Sequence, residues 1–190
     1  SVAHHKEFIH HNICLDTIHI DARGNVRSKD WFISRWAYEL ESKNEMKSSV
    51  SPFFISPEKA ESGVEDKRGD VFSFGVLFYF MLTGRYPFVG ASEVETVYSR
   101  VKRKKKSEEE IFSSEKPLLA TPEAVEYVPP KPPIEVRADV PAPISEMVME
   151  MLSYLPVQRP KFSEVLNTIN LYKAREYQEK AVFSAQKNMV

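Results

Sequence analysis

Residues 71–82 read Val-Phe-Ser-Phe-Gly-Val-Leu-Phe-Tyr-Phe-Met-Leu, and a helix drawn through them has no polar face. A helix that is apolar all round must be buried all round. This segment therefore predicts a domain in which other elements pack around one central helix. Asp70 at its start can cap free N–H groups and suits the positive end of the helix dipole. Thr83-Gly84 ends the helix, and Pro87 confirms the stop. The longest apolar run, Val76–Leu82, is far too short to span a bilayer, which takes about 20 residues.

The elements around this helix follow from local signals. The first 11 residues read as the end of a helix; they are His-rich, lack a long apolar core and do not form a signal peptide. Thr17–Asp21 and Asn25–Ser28 are β-prone runs, and Gly24 between them can supply the positive φ of a tight hairpin. Residues 35–55 read as a polar loop, and residues 93–101 as a short helix. A compositional break follows: Arg100–Lys106 holds six basic residues in seven, and 116–143 holds eight of the 13 prolines. That density forbids a continuous helix or central strand, so residues 102–142 are expected to form a charged, Pro-rich, mobile insert. Helical periodicity resumes at Ile144, with Ile144, Met147, Val148, Met151, Leu152 and Leu155 on one face and Pro156 as the stop. A last helix is expected from Phe162, with Val165, Leu166 and Ile169 inward and a charged helical tail over 171–190.

Composition narrows the class. The 190 residues suit one domain, and a formal net charge of −1 points to neither nucleic acid nor an anionic membrane as partner. Cys14 is the only cysteine, which rules out an intramolecular disulfide and suits a reducing, intracellular compartment. Its plain reading is a semi-buried small residue. His4, His5, His10, His11 and His19 fall at no ligand spacing and read as helix-end and loop residues rather than a metal site. Lys102–Lys106 fits a solvated run, a nuclear-import signal or a patch for an acidic partner. Pro129–Pro133 fits a spacer as well as a ligand for an aromatic groove.

Five motifs, in order, resemble those of eukaryotic-type Ser/Thr protein kinases. The stretch from Phe8-Ile9-His10-His11-Asn12 to Asp21 resembles the catalytic loop H-R-D-L-x-x-x-N and the strand after it. Asp30-Trp31-Phe32 stands where D-F-G would, and Ser56-Pro57-Glu58 resembles A-P-E, 26 residues beyond Asp30. Asp70–Val76 with Leu82–Phe88 resembles the central buried helix and its exit turn. Met151-Leu152 with Pro156–Pro160 resembles the closing L-x-x-D-P-x-x-R-P. The resemblance covers nearly the whole chain apart from the insert. It implies the mostly α-helical C-terminal lobe of a kinase with one small β-hairpin. The first part spans residues 1–101 and the closing helices 143–170. The chain shows no glycine-rich loop and no V-A-I-K lysine, so the N-lobe is expected to be absent from it.

Carried over position by position, the resemblance implies lost chemistry and kept scaffold. Asn12 stands at the catalytic Asp, and an amide has no ionisable acceptor near neutral pH. Cys14 stands at the Lys position, Thr17 at the metal-binding Asn and His11 at the Arg that clamps a phosphorylated activation loop. Phosphorylation of Ser48, Ser49 or Ser51 is then expected not to switch activity. Asp30 keeps the metal-binding acid, a possible Mg²⁺ ligand, while Phe32 replaces the glycine after it. Trp31 is expected to pack rather than stack on a base. His10, Glu58, Asp70 and Arg159 match structural residues: the His under the loop, the ion pair holding the activation segment, and the acid bracing the loop. The implied function is a pseudokinase working through protein–protein contacts, in signalling or as a scaffold, with ATP and Mg²⁺ bound weakly or not at all. The alternatives are a divergent ATP-dependent Ser/Thr kinase whose N-lobe lies upstream, or a linker segment of a larger protein.

Overall fold

In the computed structural model, which describes residues 2–6, 8–31, 51–63, 65–90 and 129–187, a short helix α1 (Val2–His5) leads into the loop that ends at a 3-10 turn, Leu15–Thr17. An antiparallel hairpin follows, β1 (Ile18–Ile20) with β2 (Val26–Ser28), in the register Ile18–Ser28, His19–Arg27, Ile20–Val26. Asp21 builds its turn. The carboxylate accepts the N–H groups of Arg23 and Asn25 and the Nε–H of Arg27. The Asn25 N–H and the Arg27 guanidinium stabilise the charged form and hold this carboxyl down at about 2. Gly24 completes the turn at φ 80°, a conformation that side chains disfavour.

Helix α2 (Pro57–Ser62) is capped by the Ser56 side chain and carries Pro57 in its first turn, where a missing N–H costs nothing. Helix α3 (Lys67–Thr83) is the apolar segment. Phe72 and Val76 are wholly buried, and Val71, Leu77 and Tyr79 nearly so. Around it stand α4 (Pro133–Val136), α5 (Ala142–Met151), a 3-10 turn at Pro156–Gln158 and α6 (Phe162–Lys187). Helix α5 lies against α3 and α6, and α4 touches both α3 and α5. Cys14, Phe54 and Phe88 complete the core from the loops, which binds the hairpin side to the helical side.

The structure differs from the sequence expectations at four places. Helix α3 begins at Lys67, and its cap is Asp66, whose carboxylate accepts the Arg68 N–H. Asp70 therefore sits inside the first turn and is free to serve the loop. Helix α5 ends at Met151, well before Pro156, so helical periodicity no longer governs Leu155, which is 47% exposed. On α6, Val165 and Ile169 share the inward face, and Leu166, about 100° further round, is 58% exposed. Last, the packed region starts well before residue 143: Pro133 is buried, Val140 is buried, and the Tyr79 hydroxyl donates to the Lys131 carbonyl at 3.0 Å. The prolines there open helices, in the first turns of both α4 and α5, instead of preventing them. The expected helix at 93–101, the basic run and the rest of the insert to 128 lie outside the described residues, as do residues 32–50. Among the described residues no helix is long and apolar enough to cross a membrane.

Gly75 sets how closely α3 and α5 approach. A Cβ there would stand 2.9 Å from Met151 Cβ and 3.2 Å from Leu152 Cδ2. Gly75→Val is therefore expected to lose about 1–3 kcal/mol to overpacking, more than the modest gain in helix propensity returns. The check is a lower urea midpoint at unchanged slope.

Candidate functional site

Asp70 organises the loop that resembles a catalytic loop. Its carboxylate is 1% exposed. Oδ2 accepts the His10 N–H at 2.8 Å and lies 2.8 Å from His4 Nε2, while Oδ1 accepts the His11 N–H at 2.9 Å. His11 is held at φ 64°, left-handed backbone that a β-carbon resists. The two charge-assisted bonds from Asp70 to consecutive N–H groups help to hold that bend. His10 lies beneath the loop, fully buried. Its Nε2 is 3.0 Å from the Lys29 carbonyl, an acceptor only, so Nε2 carries the proton. Nδ1 has no partner among the described residues, and burial pulls the imidazole pKa below its usual value.

Glu58 and Arg159 meet as a bidentate pair, Nη1 to Oε1 at 2.6 Å and Nη2 to Oε2 at 2.7 Å. The Arg159 side chain is 0% exposed and that of Glu58 19%. Glu65, which sequence reading passed over, sits between the loop and α2. It accepts from the Ser56 hydroxyl at 2.7 Å and lies 3.4 Å from His11 Nδ1 and 3.9 Å from Lys59 Nζ. A Cβ at residue 69 would fall 2.1 Å from the Glu65 carboxylate, so Gly69 is what makes room for it. A glycine four residues after an acid, in the first turn of a helix, was the available signal.

The positions that the motif match assigns to phosphoryl transfer lie on and after this loop. Asn12 Oδ1 is buried and has no hydrogen-bond partner among the described residues. The Thr17 hydroxyl is consumed inside the loop: it donates toward the Asn12 and Cys14 carbonyls at 2.8 and 3.2 Å and accepts the Cys14 N–H at 3.0 Å. Cys14 is buried, with Sγ 3.7 Å from the Thr17 hydroxyl. Asp30 is exposed at φ 68°. Trp31 places its ring edgewise to His10, centroids 4.6 Å apart, and donates from Nε1 to the Ser28 hydroxyl. His4, His10 and His11 each face a protein partner, and among the described residues no group of three or more His, Cys, Asp or Glu is arranged to hold a metal ion. Phe32, Ser48 and Ser49 lie outside the described residues.

This is a loop braced by a carboxylate from one buried helix, with a Glu–Arg fork at that helix's start and a hairpin after the loop. A family model described as protein kinase domain matches residues 1–169. The chain belongs to the protein kinase family, and its fold is a mostly helical part of that domain with a two-stranded hairpin. It is 32% identical over 92 residues to the serine/threonine-protein kinase PrkC of Bacillus subtilis, covering 48% of this chain and 14% of that protein. Similarity to the serine/threonine-protein kinase PknL of Mycobacterium tuberculosis is 32% over 103 residues, 53% of this chain and 25% of the relative. Protein kinase C-like 1 of Caenorhabditis elegans is 33% identical over 94 residues, 48% of the chain and 13% of that protein. The shared stretch thus spans a quarter or less of each relative's length.

Two measurements probe this framework. Glu58→Ala would strand the fully buried Arg159 charge, at a cost of about 3 kcal/mol, read by chemical denaturation. For His10 the folded state binds its proton more weakly than the unfolded chain does. The stabilisation is therefore complete above about pH 6.5 and is lost as pH falls through the lowered folded value. The stability difference between the wild type and His10→Asn should shrink between about pH 7.5 and pH 5.5. A constant difference would show that His10 does not titrate between the two states.

Proposed function

We propose that this chain is a non-catalytic member of the family, a pseudokinase module that acts by binding other proteins. The observation that carries the reading is Asn12. At the position that the motif match assigns to the catalytic carboxylate stands an amide, whose oxygen is buried without a donor among the described residues. An amide cannot accept the proton of an attacking hydroxyl, a loss worth about 10²–10⁴ in rate. A carboxylate placed there would put one oxygen into that buried position without a donor, which resists its charge. The Thr17 hydroxyl, at the second metal-ligand position, is already engaged by the loop backbone. ATP and Mg²⁺ are accordingly held weakly or not at all.

One observation favours the alternative, a divergent Ser/Thr protein kinase: Asp30 keeps the metal-binding acid and faces solvent. A radiolabelled-phosphate assay with Mg²⁺ or Mn²⁺ and a generic protein substrate separates the two. No transfer above an Asp30→Ala control is expected, and Asn12→Asp should add none while lowering stability. Turnover that disappears in Asp30→Ala would establish the divergent enzyme instead.

A further inference from the structure

We propose that the cavity between the first turns of α3 and α6 binds a phosphorylated peptide segment. The inference names a partner chemistry for the protein-binding role above and takes that role as its premise. The cavity measures about 760 Å³. Lys6 reaches it from the end of α1, Lys67 and Arg68 from the start of α3, and Lys161 from the residue before α6. All four are exposed at its walls. One carboxylate lines it among the described residues, that of Glu164, and it is turned onto the Lys161 backbone N–H at 2.7 Å. Among the described residues Arg68 has a loose 3.9 Å contact with Asp66, both side chains about half exposed. Arg159 lies at the base, but its charge is met by Glu58. A chain of formal net charge −1 has therefore gathered four cations around one concavity.

The shape and the floor select among anions. The volume exceeds what a single inorganic phosphate or a lone carboxylate side chain would fill, while a peptide of two or three residues fits. Val71, Pro160 and Phe162 form an apolar base that suits the side chain beside the charged one. A phosphoryl group carries close to two negative charges and three acceptor oxygens, which match cations approaching from three separate elements. Two helices also begin at this cavity, but their positive ends are already met by the Asp66 and Glu164 carboxylates, so the cationic side chains carry the attraction. Nucleic acid and anionic membrane are less suited, because these cations line a hollow instead of forming a continuous face.

Fluorescence anisotropy with the 190-residue chain tests this. The probes are pools of labelled peptides centred on phosphoserine or phosphothreonine with apolar flanks, the same pools unphosphorylated, a single-stranded oligonucleotide, and phosphatidylserine vesicles. The phosphorylated pools should bind at least tenfold more tightly than the unphosphorylated ones, and more weakly as salt rises. The double variant Arg68→Glu with Lys161→Glu should lose at least tenfold in affinity. Acidic residues are tolerated at helix starts, so its melting temperature should hold. Lys6→Ala with Arg68→Ala is a milder second variant, for which a threefold or greater loss is expected. Equal binding of the two kinds of pool would overturn the proposal. So would unchanged affinity in both variants, or binding of the oligonucleotide or vesicles in preference to peptide. The phosphoryl-transfer assay reads the non-catalytic assignment separately, so either idea can fail while the other stands.

Discussion

The Arg159 side chain is buried, and much of the structure is arranged to make that tolerable. All five of its N–H donors are used: two on Glu58, and the others on the carbonyls of Ser153, Arg68 and Tyr154. The Phe72 ring lies under the guanidinium, 4.9 Å from its centre. Desolvating a guanidinium and most of a carboxylate costs several kcal/mol per ion, and only a complete hydrogen-bond set offsets it. The pair is thus modest evidence of net stability but a strong constraint on geometry. It fixes α2, the first turn of α3 and the connector 153–159 to one another, because moving any of them would leave a buried donor unpaired.

Asp70 and Glu65 extend the same logic to the loop. Both lie at or just before the first turn of α3, the most thoroughly buried element, and both offer their carboxylates to the neighbouring loops. Asp70 can do so because Asp66 caps the helix in its place. Ser73 ties the other strap, donating from its hydroxyl to the Phe54 carbonyl at 2.7 Å. The segment that is apolar in sequence thus carries its few polar residues where the surrounding loops need acceptors or donors. A helix buried on all sides is a rigid mount, and loops fastened to it inherit that rigidity.

Legibility in the sequence followed the range of the interaction. The all-apolar run at 71–82, the hairpin around Gly24 and the inward face of α5 through Leu152 rest on local periodicity and turn chemistry, and all could be read. The family motifs pointed to Asp70, His10 and the partners Glu58 and Arg159, although 101 positions separate that last pair. What escaped depended on contacts that no local pattern encodes. Proline density over 116–143 masked a segment whose prolines start helices and whose Pro133 is buried against the core. Leu155 and Leu166 fit a helical stripe on paper, but one lies past the true helix end and the other just off the packed face. Glu65 is visible only once Gly69 is seen to open space for it.

The stabilising framework and the positions that the motif match assigns to phosphoryl transfer share few contacts. The Arg159 fork, the Asp70 brace and the Gly75 crossing involve neither the Asn12 side chain nor the Asp30 side chain in any contact described above. Thr17 is the exception, because its hydroxyl bonds to the loop's own backbone. Because the two sets are separate, exchanging an acid for an amide at residue 12 need not weaken the fold. Removing a carboxylate from a partly buried loop without donors relieves a desolvation penalty instead. A fold built this way can keep its shape and its hairpin while the residues at positions 12 and 30 vary, because its rigidity rests on other contacts.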